Sequence, residues 1–289
     1  MNVLEEKKQK EEQPIFVSCK DHTVSGETFH LISDTNYDML VTTPKPKEED
    51  LGKYYESEDY ISHTDNKRSL FEKVYHLVKS YALRKKVGLI TKLNNGSGTI
   101  LDIGAGTGDF LSKAKNGGWT VSGIEPNEQA KQLAQQKEVL LHTKTDEFED
   151  HSFDIITLWH VLEHVPDLQH QIQEIKRLLK PGGYVIVAVP NFKSYDATHY
   201  KSFWAAFDVP RHLWHFSKNA IQKLFAEQGL NLTQTLPMHF DAYYVSLLSE
   251  KYKTSKMNFL SAFWIGFRSN IKAIRSKEYS SHVYVLKNS

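Results

Sequence analysis

One run constrains this chain more than any other: Ile100-Leu101-Asp102-Ile103-Gly104-Ala105-Gly106-Thr107-Gly108-Asp109. An apolar stretch broken by a single acid enters a turn with glycine at every second position. The run reads as a buried strand, a tight turn and the start of a helix. Glycines let the backbone come close to a ligand, and the amides that follow point at it. The spacing departs from the dinucleotide loop G-x-G-x-x-G, whose third glycine lies where the helix packs near a pyrophosphate. Here the pattern is D-x-G-x-G-x-G. Asp102 at the mouth of the loop repels a pyrophosphate and suits a ligand that carries a cation. The plain alternative is a tight strand-to-helix turn with no ligand.

Downstream the chain alternates strands and helices. Thr99–Ile103 reads as a strand with a helix from about Thr107, then Thr120–Ile124 as a strand and Asn127–Gln136 as a helix. Asp154–Trp159 is an apolar strand. Leu168, Ile172, Ile175, Leu178 and Leu179 form a helical stripe that ends at Lys180-Pro181-Gly182-Gly183, and Tyr184–Val189 is a further strand. A helix follows from about Lys218, with Ser217 as its N-cap and Gly229 just past its end. Continuous apolar strands between helices imply an α/β fold, a doubly wound and mostly parallel sheet covered on both faces. The second strand ends at Ile124-Glu125-Pro126, which places Glu125 at the carboxyl edge, where such sheets bind ligands. A carboxylate there can accept both hydroxyls of a ribose. Nicotinamide enzymes use the same device, and a solvated loop acid is the plain alternative.

These residues resemble the successive motifs of class I S-adenosyl-L-methionine (SAM)-dependent methyltransferases. The motifs are Thr99–Gly108, Gly123–Pro126, Phe153-Asp154-Ile155-Ile156 through Glu163-His164-Val165, and Leu179 to Gly183. The match covers about residues 98–236. It is similar to the small-molecule group that contains the ubiquinone-biosynthesis O-methyltransferase. SAM carries two cations, a sulfonium and an α-ammonium, and so suits the Asp102 loop. The resemblance implies a Rossmann-like sheet of seven strands whose last strand, Ser281–Leu286, is antiparallel. It implies that Gly104, Ala105, Gly106 and Gly108 contact the methionine part of SAM and that Asp102 holds its ammonium. Glu125, beside Pro126, would take the ribose, Thr145 and Asp146 would lie near the adenine, and Trp159 and His160 would line the cofactor pocket.

Methyl transfer from a sulfonium is an in-line displacement with a neutral leaving group. The protein must chiefly align the acceptor and exclude water. A base is needed only when the acceptor is protonated. The run Asp208-Val209-Pro210-Arg211-His212-Leu213-Trp214-His215-Phe216-Ser217 has the right chemistry, and a similar run recurs in related small-molecule methyltransferases. His212 or His215 would act as base, and Arg211, with Trp214 beside it, would bind an acidic substrate. The alternative is a loop that packs and caps the next helix. His164 is a third candidate base, with a structural role as its alternative. Spacing allows a metal on His212, His215 and Asp208, but no metal is expected.

The expected organisation is a tail and eroded zinc-knuckle-like extension over 1–50, a helical cap over 51–97, and the SAM-binding domain over 98–289. Residues 1–13 read as disordered, 15–43 as short strands, and 66–92 as helical. The resemblance extends to a knuckle ahead of Val24-Ser25-Gly26-Glu27-Thr28-Phe29, but only Cys19 is present, and one thiol cannot build a four-ligand site. The resemblance implies that Tyr54, Tyr55 and Tyr60 with their acidic neighbours belong to a segment that closes over the cofactor; a charged connector is the alternative. An insertion over about 241–278 carries Phe259, Phe263, Trp264, Phe267, Ile271 and Ile274 on one helical stripe, flanked by Arg268, Lys272 and Arg275. It reads as a peripheral membrane contact (258–275), a lid, a dimer surface or a packed helix.

Thirty-six basic against 35 acidic side chains argue against a nucleic-acid binder that works by bulk charge. The lone cysteine, the lack of a long apolar run and a charged N-terminus point to a cytoplasmic protein. The expected activity is methyl transfer to a small-molecule acceptor, lipid-like or aromatic, chiefly at oxygen. A methyltransferase acting on RNA or protein, and a SAM-binding protein without catalysis, are the alternatives.

Overall fold

The computed structural model describes residues 14–55 and 70–289. The expected tail (1–13) and the part of the tyrosine-bearing connector that includes Tyr60 lie outside the described residues. Along the chain run β1 (Ile15–Lys20), β2 (Thr28–Asp34), β3 (Met39–Thr43), α1 (Leu70–Leu93), β4 (Thr99–Ile103), α2 (Asp109–Lys115) and β5 (Thr120–Ile124). They are followed by α3 (Glu128–Gln135), β6 (Leu141–His142), β7 (Phe153–Trp159), α4 (Leu168–Leu178), β8 (Leu179–Pro190), α5 (Tyr195–Tyr200) and β9 (Trp214–His215). The chain closes with α6 (Lys218–Ala226), β10 (Leu230–Pro237), α7 (Asp241–Thr254), α8 (Phe259–Ser276) and β11 (Ser281–Asn288). These elements form two compact units, one from Met1–Tyr60, Pro190–Ala220 and Met238–Ser281, the other from Ile61–Val189, Ile221–Pro237 and His282–Ser289.

The second unit holds the sheet that the alternation implied. Its seven strands lie in the order β10-β11-β8-β7-β4-β5-β6. The five strands from β8 to β6 run parallel, and β10 and β11 are antiparallel to each other. Ile100, Leu101, Ile155, Ile156 and Leu158 are buried, which explains why β4 and β7 read as continuous apolar runs. Helix α4 buries Leu168, Ile172, Ile175 and Leu178 at helical spacing, and the Asp167 side chain caps it by accepting from His170 N–H. Ser217 and Asn127 cap α6 and α3 in the same way.

Lys180 to Gly183 was expected to end a helix. It lies instead within β8, as a bulge between the pairs Phe153–Leu179 and Ile155–Tyr184. Gly183 sits so close to the neighbouring strand that a Cβ there would meet the Asp154 carbonyl at 2.8 Å. From β4 the chain winds outward through β5 and β6, then returns to β7 on the other flank of β4. The strand order therefore reverses at the carboxyl end of β4, the place where open α/β sheets form a ligand crevice.

In the first unit, β1, β2, β3 and β9 form an antiparallel sheet in that order. The expected N-terminal extension and the expected insertion both belong to this unit. Cys19, Phe29, Leu31 and Leu40 of the sheet share a core with Tyr200, Trp204, Phe207 and Ile265. Burial pushes the Cys19 thiol up to about 12. Asp196 on α5 is fully buried and accepts from Trp204 Nε1 (2.8 Å), Ser269 Oγ (2.6 Å) and Ser280 Oγ (2.7 Å). It links α5, α8 and the segment that follows α8. Asp196→Ala would strand these buried donors and should cost about 3 kcal/mol or more. Asp196→Asn, which keeps an acceptor, should cost less. Urea unfolding of the two variants is the check, and a loss below about 1 kcal/mol for the alanine variant would show that the cluster is energetically idle.

Candidate functional site

The glycine loop is sewn to the end of the neighbouring strand. The Ile124 carbonyl on β5 accepts the N–H groups of both Gly104 (2.8 Å) and Ala105 (2.9 Å). One residue on, Glu125 Oε2 accepts from Gly106 N–H (2.8 Å) while its Oε1 accepts from Asn127 N–H (2.9 Å). The carboxyl group predicted from the end of the second strand is thus fixed across the loop, and its other lone pairs remain available. A Cβ on Gly104 would fall 2.4 Å from Val161 Cγ2, so only glycine admits the segment after β7 this close. Gly106, at φ +52, has nothing within 4 Å of where a Cβ would point, which leaves an open cradle on the outer side of the loop. Gly108 packs instead against Ala134 of α3. At the first turn of α2, Asp109 pairs with Lys79 (2.6 Å) and Lys137 (2.7 Å), and Lys137 also donates to the Thr107 carbonyl. Burial alone would raise the Asp109 pKa, but the two ammonium groups outweigh it and hold it below the usual carboxylate range.

Asp102 sits below this loop, 3% exposed, and accepts from Thr157 Oγ on β7. Burial pushes its pKa up to about 7; the Thr157 hydrogen bond and the Lys86 charge only partly offset this. A buried acid of this kind holds its proton longer than an exposed one and ionises more readily when a further cation comes near. At the end of β7, the Trp159 ring lies edge-on to Phe110 and carries Lys86 Nζ 4.0 Å from its centroid. Trp159 Nε1 is buried and has no acceptor among the described residues. His160 follows in a left-handed conformation (φ +58), donates its N–H to the Ala188 carbonyl, and lies with Nδ1 3.4 Å from the fully buried Glu163. His164 is half-buried on the same turn.

The remaining cofactor candidates lie further along the edge. Pro126 is exposed beside Glu125. Thr145 donates to Glu174 of α4 (3.0 Å), and Asp146 next to it is exposed. An orphaned indole donor, an open cradle at Gly106 and a buried acid suit a ligand with acceptor atoms and a cation, as SAM is. Sequence reasoning missed Thr157 and Val161. A lone threonine within Ile155-Ile156-Thr157-Leu158 was the available signal for the first, and nothing local signalled the second.

Arg211, His212, Trp214 and His215 belong to the other unit. Arg211 is 6% exposed and makes a two-point contact with Asp208 (3.0 and 2.6 Å). It also donates to Asp21 Oδ1 from both terminal nitrogens (3.2 Å each) and to the Tyr54 carbonyl (3.0 Å). All five N–H donors of the guanidinium expected to bind an acidic substrate are thereby engaged inside this unit. Burial would raise the Asp21 pKa, but the N–H groups of Ser25 and Thr23 and the Arg211 charge hold it at about 2. His212 Nδ1 faces the Ala206 carbonyl (2.9 Å), so Nδ1 carries a hydrogen and donates it. Thr42 Oγ donates its single hydrogen to the His212 carbonyl (2.6 Å), so His215 Nε2, 3.0 Å away, must donate to it. Trp214 pairs with Val41 of β3 and has Lys45 over its ring.

Comparison with known proteins converges on one kind of fold. The family described as "Methyltransferase domain" matches residues 70–235. The chain is 33% identical over 128 residues to the ubiquinone biosynthesis O-methyltransferase of Vibrio atlanticus, covering 40% of this chain and 52% of that one. It is 31% identical over 141 residues to the demethylmenaquinone methyltransferase of Bacillus cytotoxicus, covering 44% and 59%. The matches thus span little more than half the length of these relatives. The fold is similar to that of geranyl diphosphate C-methyltransferase from Streptomyces coelicolor A3(2), with a TM-score of 0.55 at 15% identity over 85% of this chain and 99% of that one.

The raised pKa of Asp102 sets a pH dependence. The unfolded carboxyl ionises near pH ~4, while the folded one holds its proton to about 7. The folded state binds the extra proton across that window, so this residue costs stability as pH rises from ~4 to ~7 and adds no further change above it. Asp102→Asn should remove that slope. Its melting temperature relative to the parent chain should therefore rise through the window, and a pH-independent difference would contradict the burial effect.

Proposed function

The chain belongs to the methyltransferase-domain family, that of class I SAM-dependent methyltransferases, and on that footing we propose that it methylates a small aromatic acceptor at oxygen. The observation that carries the reading is the Glu125 carboxyl, fixed by Gly106 and Asn127 N–H groups across a glycine loop whose outer side is open. Bound SAM supplies an electrophilic methyl group on a sulfonium. The residues of this chain bind and orient. Glu125 accepts the two vicinal hydroxyls of the ribose with the lone pairs that its backbone donors leave. Asp102 ionises against the cofactor's positive charge, and Trp159 Nε1 offers its donor at the end of β7. The open side of the loop at Gly106 would take the amino-acid portion, which would help to align the methyl group with an acceptor.

The acceptor class is supported by the names of two relatives, which concern ubiquinone and demethylmenaquinone. A hydroxyl acceptor must lose a proton. His164, on the turn after β7, is the candidate base within this unit.

Isothermal titration calorimetry tests the reading. SAM and S-adenosylhomocysteine should bind and NAD should not. Glu125→Ala should weaken SAM binding by about 1.5–3 kcal/mol, the range for hydrogen bonds to a charged group, with melting little changed. Ionisation of Asp102 adds a second readout. Near pH ~6, SAM binding should release protons, so its heat should vary with the buffer's ionisation enthalpy in the parent chain and not in Asp102→Asn. Binding of NAD alone, or an unchanged affinity in Glu125→Ala, would overturn the assignment.

A further inference from the structure

Helix α8 turns its small side chains inward and its large ones outward. Ala262, Ile265, Gly266, Ser269 and Ala273 are buried. A Cβ on Gly266 would lie 2.9 Å from Tyr243 Cα, so α7 and α8 meet backbone to backbone along a seam of small residues. The opposite face carries Leu260 (85% exposed), Phe263 (60%), Trp264 (56%), Phe267, Ile271 and Ile274 (58%). The rings stack along the surface, with Tyr243 on Phe263 at 5.5 Å and Trp264 on Phe267 at 5.8 Å. A single exposed leucine needs no explanation, but a contiguous aromatic and aliphatic strip does.

Charge identifies what covers the strip. Every charged side chain from Lys251 to Lys277 is basic, seven in all, whereas the whole chain has 36 basic and 35 acidic side chains. The rest of the chain is therefore net acidic; the α7–α8 hairpin as a whole also holds Asp241 and the buried Glu250 and keeps a net positive charge. Arg268 and Arg275 are exposed beside the strip, and Lys272 is held with Nζ 3.9 Å over the Tyr195 ring. A second copy would bring two equally basic faces together, which opposes self-association. A nucleic acid would leave the apolar strip uncovered.

We propose that the α7–α8 hairpin docks the protein in the plane of an anionic lipid bilayer. The aromatic and aliphatic side chains enter the boundary between headgroups and acyl chains, and the arginines and lysines reach anionic headgroups on long apolar stems. Among the described residues no helix is long and apolar enough to cross a membrane, so α8 lies on the bilayer and does not span it. The inference is independent of the methyl-transfer reading, because it uses none of the cofactor-site residues.

The test is co-sedimentation of the full chain with vesicles of phosphatidylcholine alone, or mixed with phosphatidylglycerol. Binding should require the anionic lipid and fall steeply with salt. Phe263→Ser with Trp264→Ser should abolish it while melting and SAM binding stay at parent values. Arg268→Glu with Arg275→Glu leaves the apolar strip intact and should weaken binding at least about tenfold. The parent tryptophan emission should shift to the blue on vesicle addition, and Trp264→Phe should lose most of that shift. Three outcomes would overturn the proposal: no vesicle binding by the parent chain; equal binding to the uncharged and anionic vesicles; or a concentration-dependent dimer, abolished by the Ser substitutions, with no vesicle binding. If the double Ser variant fails to fold, the charge-reversal pair and the emission shift decide alone.

Discussion

The end of β5 holds the glycine loop, and the rest of the candidate site depends on that attachment. One carbonyl, that of Ile124, takes two successive loop N–H groups, and the next side chain, Glu125, takes a third. A loop with three glycines has the largest conformational entropy to lose on folding, and backbone hydrogen bonds of this kind decide which of its conformations persists. Because strand and loop are joined, the carboxyl of Glu125 cannot move independently of the loop amides. The loop and the carboxyl group are thereby set by the same few bonds.

The attachment also explains where the buried acid sits. Asp102 precedes the loop by one residue and faces Thr157 on the adjacent strand, within a layer of isoleucine and leucine. Leaving an ionisable group there is unfavourable in the absence of a cation, and the raised pKa expresses that cost. Local destabilisation at a ligand site of this kind is expected when the group's task is to interact with an incoming charge. The Arg211 cluster shows the opposite arrangement. Asp21 and Asp208 surround a guanidinium whose donors are all occupied, and the Asp21 pKa is low, so this charge is spent on holding one unit together.

Much of this could be read from the chain without a structure. The glycine run, the acid at the end of the second strand and the alternation from 99 to 189 each carry a local physical signature: a turn that needs glycine, a polar residue that ends an apolar run, and a change of hydrophobic period. Four parallel strands, the cap at Ser217 and the helix at 168–178 follow from such signals, whereas the full count of seven strands is what the family resemblance implied. The Lys180–Gly183 bulge was read as a helix end because glycine and proline mark both kinds of break. The role of Arg211 was open because an arginine in a run of histidines and aromatics has the same appearance whether its partners are a substrate or residues 190 positions away.

The stripe on α8 shows the remaining limit most clearly. Periodicity established that Phe263, Trp264, Phe267, Ile271 and Ile274 share a helix face, because 3.6 residues per turn is a property of the backbone alone. It could not establish which face turns inward. That was decided by Gly266 and its small neighbours, which let α7 approach closely and left the large side chains outside. The sequence by itself determined the fold class, the loop and the acids that flank it, since these depend on contacts between near neighbours and on hydrophobic period. Only the tertiary structure decided which polar groups are spent on one another and which apolar face stays uncovered, since burial is shared among segments far apart in the chain.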